Sequence, residues 1–381
     1  MLTIMAEEFR AWKERRPASL AILFGVPVLF TLLFGLVYGA NVIKNIPLVV
    51  YDHDQTAVSR SLVQAFADSE RYEIVGQVAS QEEATEYLRD NRAMAALVIP
   101  SQLSRDIKHS RSVNIALELN ASNLMFANNV LSTYPEITQS FAAAAGQKLL
   151  EGINQPPSQA LATAAPVRMA ARIVDNPTIS YSSFVLPGLT INGLLIALYI
   201  VSCTLLTAEY AALVRGRQPV WAVIGGKLLP CWLLGVASFA VSLGLLTVCF
   251  PVPVRGSVLQ LLAVGGAFSF AVTAFGLFIS SLTPNVIIGM QYSAVYVMSS
   301  FLCSGYSWPL FAMNDALRAY SAIQPITYAA VTVRDIMLVA VAPDLAKNVL
   351  ILLAYGAVCC LAASAVLALR RGKARAGEGR P

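Results

Sequence analysis

The feature that most constrains this chain is the length of its stretches without charge. No Asp, Glu, Lys or Arg occurs over residues 17–43, 176–208, 228–254, 256–314 or 348–369. A bilayer core of about 30 Å is crossed by about 20 helical residues, so each stretch is long enough to span. The stretch 256–314 is too long for one crossing. It is interrupted at Thr283-Pro284-Asn285, a turn signal, and reads as two helices. Six spans result, at about 18–40, 184–208, 228–250, 258–282, 286–307 and 348–369. Charged residues make up 13% of the chain, against about 25% in soluble domains. That excludes a disordered chain and disfavours an ordinary soluble enzyme.

The basic residues indicate orientation. Arg10, Lys13, Arg15 and Arg16 precede the first span, and Arg215, Arg217 and Lys227 lie between the second and third. Arg370, Arg371, Lys373, Arg375 and Arg380 follow the sixth. With six spans these fall on one side, so the positive-inside rule puts both termini in the cytoplasm. The first apolar run exceeds the core of a cleaved signal peptide and reads as a signal anchor. Leu2, Met5, Phe9 and Trp12 recur at helical spacing among Glu7, Glu8, Arg10, Lys13 and Glu14. Residues 1–17 thus form an amphipathic interfacial helix in contact with membrane lipid.

Residues 41–183 separate the first two spans, and residues 41–175 hold 25 of the 49 charged side chains. Apolar runs at 47–51, 72–75 and 94–99 alternate with helical patterns at 56–67, 81–91 and 101–109. Val113, Ile115, Leu117 and Leu119 then alternate with less apolar residues, as in a half-buried strand. Ser80 with Glu83 fits a capping box. The order predicts a small α/β layer domain on the extracytoplasmic side. A longer helix follows around 126–141, kinked at Pro135. The Pro-containing segment 154–176 reads as a return linker. Asp52-His53-Asp54 has metal-ligating residue types, but it is also ordinary turn chemistry at a strand end, which is the preferred reading. His109 reads as a solvated helix end. All six cysteines fall in the spans, without metal-ligand spacing, as small apolar residues. No site is predicted for catalysis, metal or nucleic acid.

The chain lacks the GxxxxGK[ST] phosphate loop. No acidic residue interrupts a span as a proton relay would require, and Glu209 sits only at a span end. A transporter built this way needs energy from a partner. The uncharged spans offer groups such as Asn192, Thr204, Gln291 and Ser293, which favours an apolar or amphiphilic substrate: a drug, lipid or glycolipid. The alternative is an envelope assembly or signalling protein whose outer domain is a binding module, though an anchor needs fewer than six spans.

Four segments carry a family resemblance. They are Val50-Tyr51-Asp52-His53-Asp54 with Ser59-Arg60-Ser61-Leu62; Ala96-Leu97-Val98-Ile99-Pro100 with Leu103-Ser104-Arg105-Asp106-Ile107 and Asn120-Ala121-Ser122-Asn123; Asp175-Asn176-Pro177 before Phe184-Val185-Leu186-Pro187-Gly188; and Ser304-Gly305-Tyr306-Ser307-Trp308-Pro309-Leu310 before Gln324-Pro325-Ile326-Thr327-Tyr328 and Arg334-Asp335-Ile336. In this order the chain resembles ABC-2 family (type-2 ABC transporter) permease subunits with a large extracytoplasmic domain. The resemblance implies six transmembrane helices with an inserted α/β domain between helices 1 and 2, in the bacterial inner membrane. It implies a second permease, as homodimer or sister subunit, and a cytoplasmic ABC ATPase that binds the ATP and Mg. A periplasmic adaptor is a further partner. No cofactor is expected on this chain. Glu209, Arg215, Gly216, Arg217 and Lys227 would belong to the ATPase-coupling loop 209–227, in which Arg217 replaces the family's Thr. Phe9, Trp12 and Lys13 would lie on an interfacial helix touching the ATPase. Ser304, Gly305, Pro309, Pro325 and Arg334 would belong to an outer re-entrant segment, 304–342, within the region 184–370. Residues 371–381 would form a cytoplasmic basic tail.

Overall fold

The computed structural model describes residues 2–14, 16–39, 43–109, 111–121, 124–151, 180–250 and 252–378. The return linker 154–176 and Asp175-Asn176-Pro177 lie outside them. The chain divides into two units, residues 42–172 and residues 1–41 with 173–381.

The smaller unit is a four-stranded sheet in the order β2-β1-β3-β4. Its strands are β1 (Ile46–Asp52), β2 (Tyr72–Val78), β3 (Ala95–Ile99) and β4 (Ala116–Leu119). Strand β1 pairs in parallel with β2 and β3, and β4 closes the sheet antiparallel to β3. Both faces of β1 are apolar because both are covered. Ile46, Leu48 and Val50 pack on α3 (Ala57–Ala67), α5 (Leu103–Lys108) and α6 (Leu124–Glu151) through Leu62, Phe66, Leu103 and Val130. Val49 and Ala96 pack on α4 (Gln81–Arg89) through Ala84 and Leu88. Ser80 caps α4 as the spacing predicts, its hydroxyl accepting from the Glu83 amide. The Glu83 carboxylate reaches back one residue further, to the amide of Ala79. Asp52 accepts from the amides of Asp54 and Gln55 and from the Ser59 hydroxyl, which is turn and capping chemistry. The strand expected from Val113 begins only at Ala116, where pairing with β3 begins.

The larger unit holds six helices long and apolar enough to cross a membrane. They are α2 (Pro17–Tyr38), α7 (Tyr181–Ser202), α9 (Val220–Cys249), α10 (Val258–Leu282), α11 (Val286–Cys303) and α14 (Leu345–Glu378). Helix α1 (Leu2–Glu14) precedes them, and α8 (Tyr210–Arg215) lies between α7 and α9. A short 3-10 turn at Leu310–Ala312, then α12 (Asp315–Ala322) and α13 (Pro325–Val339), lie between α11 and α14. Three of the long helices contain an internal proline: Pro27, Pro187 and Pro230. A proline at position i leaves the carbonyl of residue i−4 without its helical donor, a loss that must be made good inside lipid. For Pro27 that carbonyl belongs to Leu23, and the buried Ser238 hydroxyl of α9 donates to it at 2.7 Å.

Among the spans, two boundaries differ most from the sequence expectation. The third span begins at Val220, not at 228. The sixth extends as far as Glu378, through residues read as a tail. In both cases charged residues mark the end of an apolar run without marking the end of a helix.

Candidate functional site

The clearest concentration of charge in the larger unit is built from four segments. Helix α1 contributes Glu8. Arg16 stands at the N-cap of α2, with Pro17 in the first helical position, where its missing N–H costs nothing. Glu209 ends a 3-10 turn, Thr207–Glu209, that follows α7. Lys227 lies two turns inside α9.

Their side chains close a ring. Lys227 Nζ donates to Glu8 Oε2 at 2.9 Å and lies 3.1 Å from Glu209 Oε2. Arg16 donates to Glu8 Oε1 at 2.7 Å, and its other terminal nitrogen is 3.6 Å from Glu209 Oε1. Each cation therefore touches both carboxylates, and the four formal charges cancel. Side-chain exposure grades from 2% at Lys227 and 4% at Glu8 to 17% at Arg16 and 45% at Glu209. The lysine and glutamate tolerate burial because each has two partners of opposite sign. An unpaired charge there would cost several kcal/mol, on the order of the penalty for breaking any buried pair.

The ring revises two expectations. The spans are not free of fixed charge, since Lys227 is buried in α9. The stretch 209–227 is also not a single loop, because residues 220–227 are the start of that helix. Helix α1 faces the bundle differently from its apolar pattern. Glu8 and Trp12 are buried, one turn apart, while Phe9 is 38% exposed. The Lys13 side chain lies outside the described residues. Glu8 and Arg16 were not singled out in the sequence. Their one signal was a lysine beside a long apolar run, which needs a carboxylate from somewhere.

The rest of the segment after α7 is fastened to two other helices. Tyr210 donates to the Ser281 carbonyl at 3.1 Å, and the Leu206 amide donates to Ser280 Oγ at 2.9 Å. Arg371, buried near the end of α14, donates to the carbonyls of Leu213 (2.8 Å) and Gln218. Gly216 lies in the same bend, and Arg215 and Arg217 face outward, exposed. A polar clasp thus ties the ends of α7, α9, α10 and α14, with two basic side chains on its outside.

A second cluster occupies the opposite end of α7. The Gly188 amide would ordinarily bond the Phe184 carbonyl. The Tyr306 hydroxyl meets both groups, accepting from Gly188 N at 3.2 Å and donating to Phe184 O. The contact sits beside Pro187, where the helical ladder lacks one donor. Residue 188 must be glycine, because a Cβ there would lie 2.5 Å from the Tyr306 ring. Arg334 from α13 lies over both rings, 5.7 Å from the Phe184 centroid and 5.4 Å from that of Tyr306. It also donates to Asp335 at 2.9 Å. Ser304 and Gly305 turn the chain out of α11. Ser304 Oγ accepts the Tyr306 amide at 3.2 Å, and Gly305 takes a φ of +79° that suits glycine. Pro309 caps the following 3-10 turn, and Pro325 opens α13. Of this cluster, the sequence had singled out Ser304, Gly305, Pro309, Pro325 and Arg334. Tyr306, the residue that engages α7, was quoted only within a motif.

Comparison with known proteins bears on the whole chain. The model of the family described as "ABC-2 family transporter protein" matches residues 17–365. The "Probable multidrug ABC transporter permease YbhR" of Escherichia coli (strain K12) is 24% identical over 319 residues, covering 82% of this chain and 83% of that protein. The "Probable multidrug ABC transporter permease YbhS" of the same organism is 26% identical over 191 residues, covering 47% of this chain and 49% of the relative.

Proposed function

The chain belongs to the ABC-2 family of transporter proteins, and from that premise we propose that it is the permease of an ATP-driven exporter moving an apolar or amphiphilic substrate outward. It is a membrane protein, and family membership implies an ATPase partner subunit. We assign that subunit to the cytoplasmic side, where it binds the ATP and Mg. Both termini of the permease lie on the same side, at the bacterial inner membrane, and residues 41–183 lie outside. A second permease completes the pathway, and a periplasmic adaptor extends it.

The observation that carries this reading is the ring of Glu8, Arg16, Glu209 and Lys227. It joins the amphipathic α1, the start of α2, the turn after α7 and the interior of α9. A push delivered at α1 or at the exposed Arg215 and Arg217 is passed to three long helices at once, because the buried Lys227 and Glu8 are each held by two partners of opposite sign. Arg215 and Arg217 suit an acidic groove on the ATPase. Past Lys227, α9 has no further charge, and neither α10 nor α11 carries any. That favours substrates recognised by shape and apolar contact. The names of the two relatives, both called multidrug permeases, point to the same substrate class.

The test is reconstitution of the permease with its ATPase in vesicles. Amphiphilic drugs are expected to stimulate ATP hydrolysis, and Glu209→Ala is expected to abolish the stimulation while leaving the complex assembled. If no amphiphile stimulates hydrolysis, the reading fails. Labelling of single cysteines at 215 and at 61 from opposite sides of the membrane tests the orientation.

A further inference from the structure

Helix α6 of the α/β unit is packed along only part of its length. Val130 is fully buried, and Thr133 bonds Tyr72 at 2.6 Å. Beyond Thr133 no residue of the helix is fully buried. Residues 142–146 read Ala-Ala-Ala-Ala-Gly, so little side-chain volume fills the space beside α3 and α5. Two adjoining cavities result, of about 990 Å³ and about 720 Å³. Both are lined by Ile107, Phe141, Ala145 and Leu149, so they are two arms of one largely apolar space. Each is within the range of about 300–1,000 Å³ typical of small-molecule sites.

The charges at the larger cavity are unequal. Its lining includes Arg71, Lys108 and Lys148 against Glu70 and Glu136. Glu70 is already engaged by Lys44 at 2.5 Å. Among the described residues, no ion pair occupies Lys108 or Lys148. An apolar trough in a water-soluble unit, with two uncommitted ammonium groups on its lining, is complementary to a molecule that is fatty along its length and anionic at one end.

We propose that this space binds a single-chain amphiphile with an anionic headgroup. The chain lies between α6 and the α3–α5 side of the unit, and the headgroup meets Lys108 and Lys148. The proposal deepens the export reading and rests on it only for where the amphiphile comes from. The site itself stands on the cavity and its charges.

The test uses the full chain in phosphatidylcholine nanodiscs with a diazirine-bearing palmitate and its uncharged hexadecanol counterpart. After illumination, palmitate is expected to label peptides containing Ile107 or residues 141–149. Ala145→Trp fills the shared space and is expected to cut that labelling about tenfold, equivalent to ~1.4 kcal/mol of binding. Ala145→Ser, which leaves the space open, is expected to keep it. Lys108→Glu with Lys148→Glu is expected to cut palmitate labelling about threefold to tenfold and leave hexadecanol labelling unchanged. Label confined to the long apolar helices, or label indifferent to both the tryptophan and the charge reversal, overturns the proposal. Wild-type protein that takes no label there also overturns it. Amphiphile-stimulated ATP hydrolysis is read in parallel. Stimulation without labelling sinks the site alone; labelling without stimulation sinks the export reading alone.

Discussion

The two ends of helix α7 are held by opposite chemistries. At one end, Glu209 follows the helix and joins a closed ring of two cations and two anions. At the other, the Tyr306 hydroxyl bridges two backbone groups of α7 and its ring is covered by Arg334. The ring is made of full charges and collects segments far apart in the chain, Glu8 and Lys227 being 219 residues apart. The tyrosine clasp is made of one hydroxyl and two ring faces beside Pro187. The first is least tolerant at its two buried members, Lys227 and Glu8. The second rests on close contact, since Gly188 leaves room for the Tyr306 ring.

That contrast is exposed to measurement in descending order of effect. Lys227→Met leaves two carboxylates with one cation and is expected to cost about 3–5 kcal/mol of stability, read as lost folded yield and a lowered Tm. Pairing it with Glu8→Gln is expected to recover much of the loss. Equal damage in the single and double variants would show that the ring is not a coupled unit. Tyr306→Phe removes the bridging hydroxyl and is expected to cost about 1–3 kcal/mol. A cost near zero would show that the two backbone groups are satisfied without it. Arg334→Lys keeps the charge but loses the flat face against the two rings, for about 0.5–2 kcal/mol. Glu209→Gln is expected to have a small effect on Tm, at most about 1 kcal/mol, because that carboxylate is nearly half exposed. The ATPase stimulation should fall far more than the Tm does.

A control lies in the α/β unit, where Lys44 faces Glu70 at the surface. The lysine holds the Glu70 carboxyl below its usual value. A lowered carboxylate pKa contributes stability above its unfolded value, lost as pH falls through the lowered one. Lys44→Ala should therefore remove a small stabilisation that is present at neutral pH and vanishes as pH falls below the usual carboxylate range. An effect there as large as that of Lys227→Met would erase the distinction between buried and exposed pairs.

The long helices were legible in the sequence because lipid imposes a length on each one, and a length can be read without a partner. The order of strands and helices in the α/β unit was legible for a similar reason, since Val49 and Val50 face two covered sides. Partner choice was not legible. Glu8 looked like one polar residue on an amphipathic helix because nothing nearby in sequence reveals a lysine at 227. Lys227 looked like a boundary because it ends an apolar run, yet α9 continues through it once its charge is met. Tyr306 is one aromatic among several in its segment. What marks it is the pair Pro187-Gly188, more than a hundred residues earlier, which leaves a gap of the right size.

The ring also has a history written into the order of synthesis. Glu8 and Arg16 leave the ribosome before Lys227 and bond each other directly. Lys227 follows 219 residues after Glu8, a delay of about 10–45 s at usual elongation rates. Until then the nascent chain carries an acid–base pair with half its contacts unmade, and α9 must enter the membrane with a lysine that has only that pair and Glu209 to meet it. Assembly of the bundle is thereby timed. Helix α2 is made well before α9, but its ring of contacts closes only when α9 arrives.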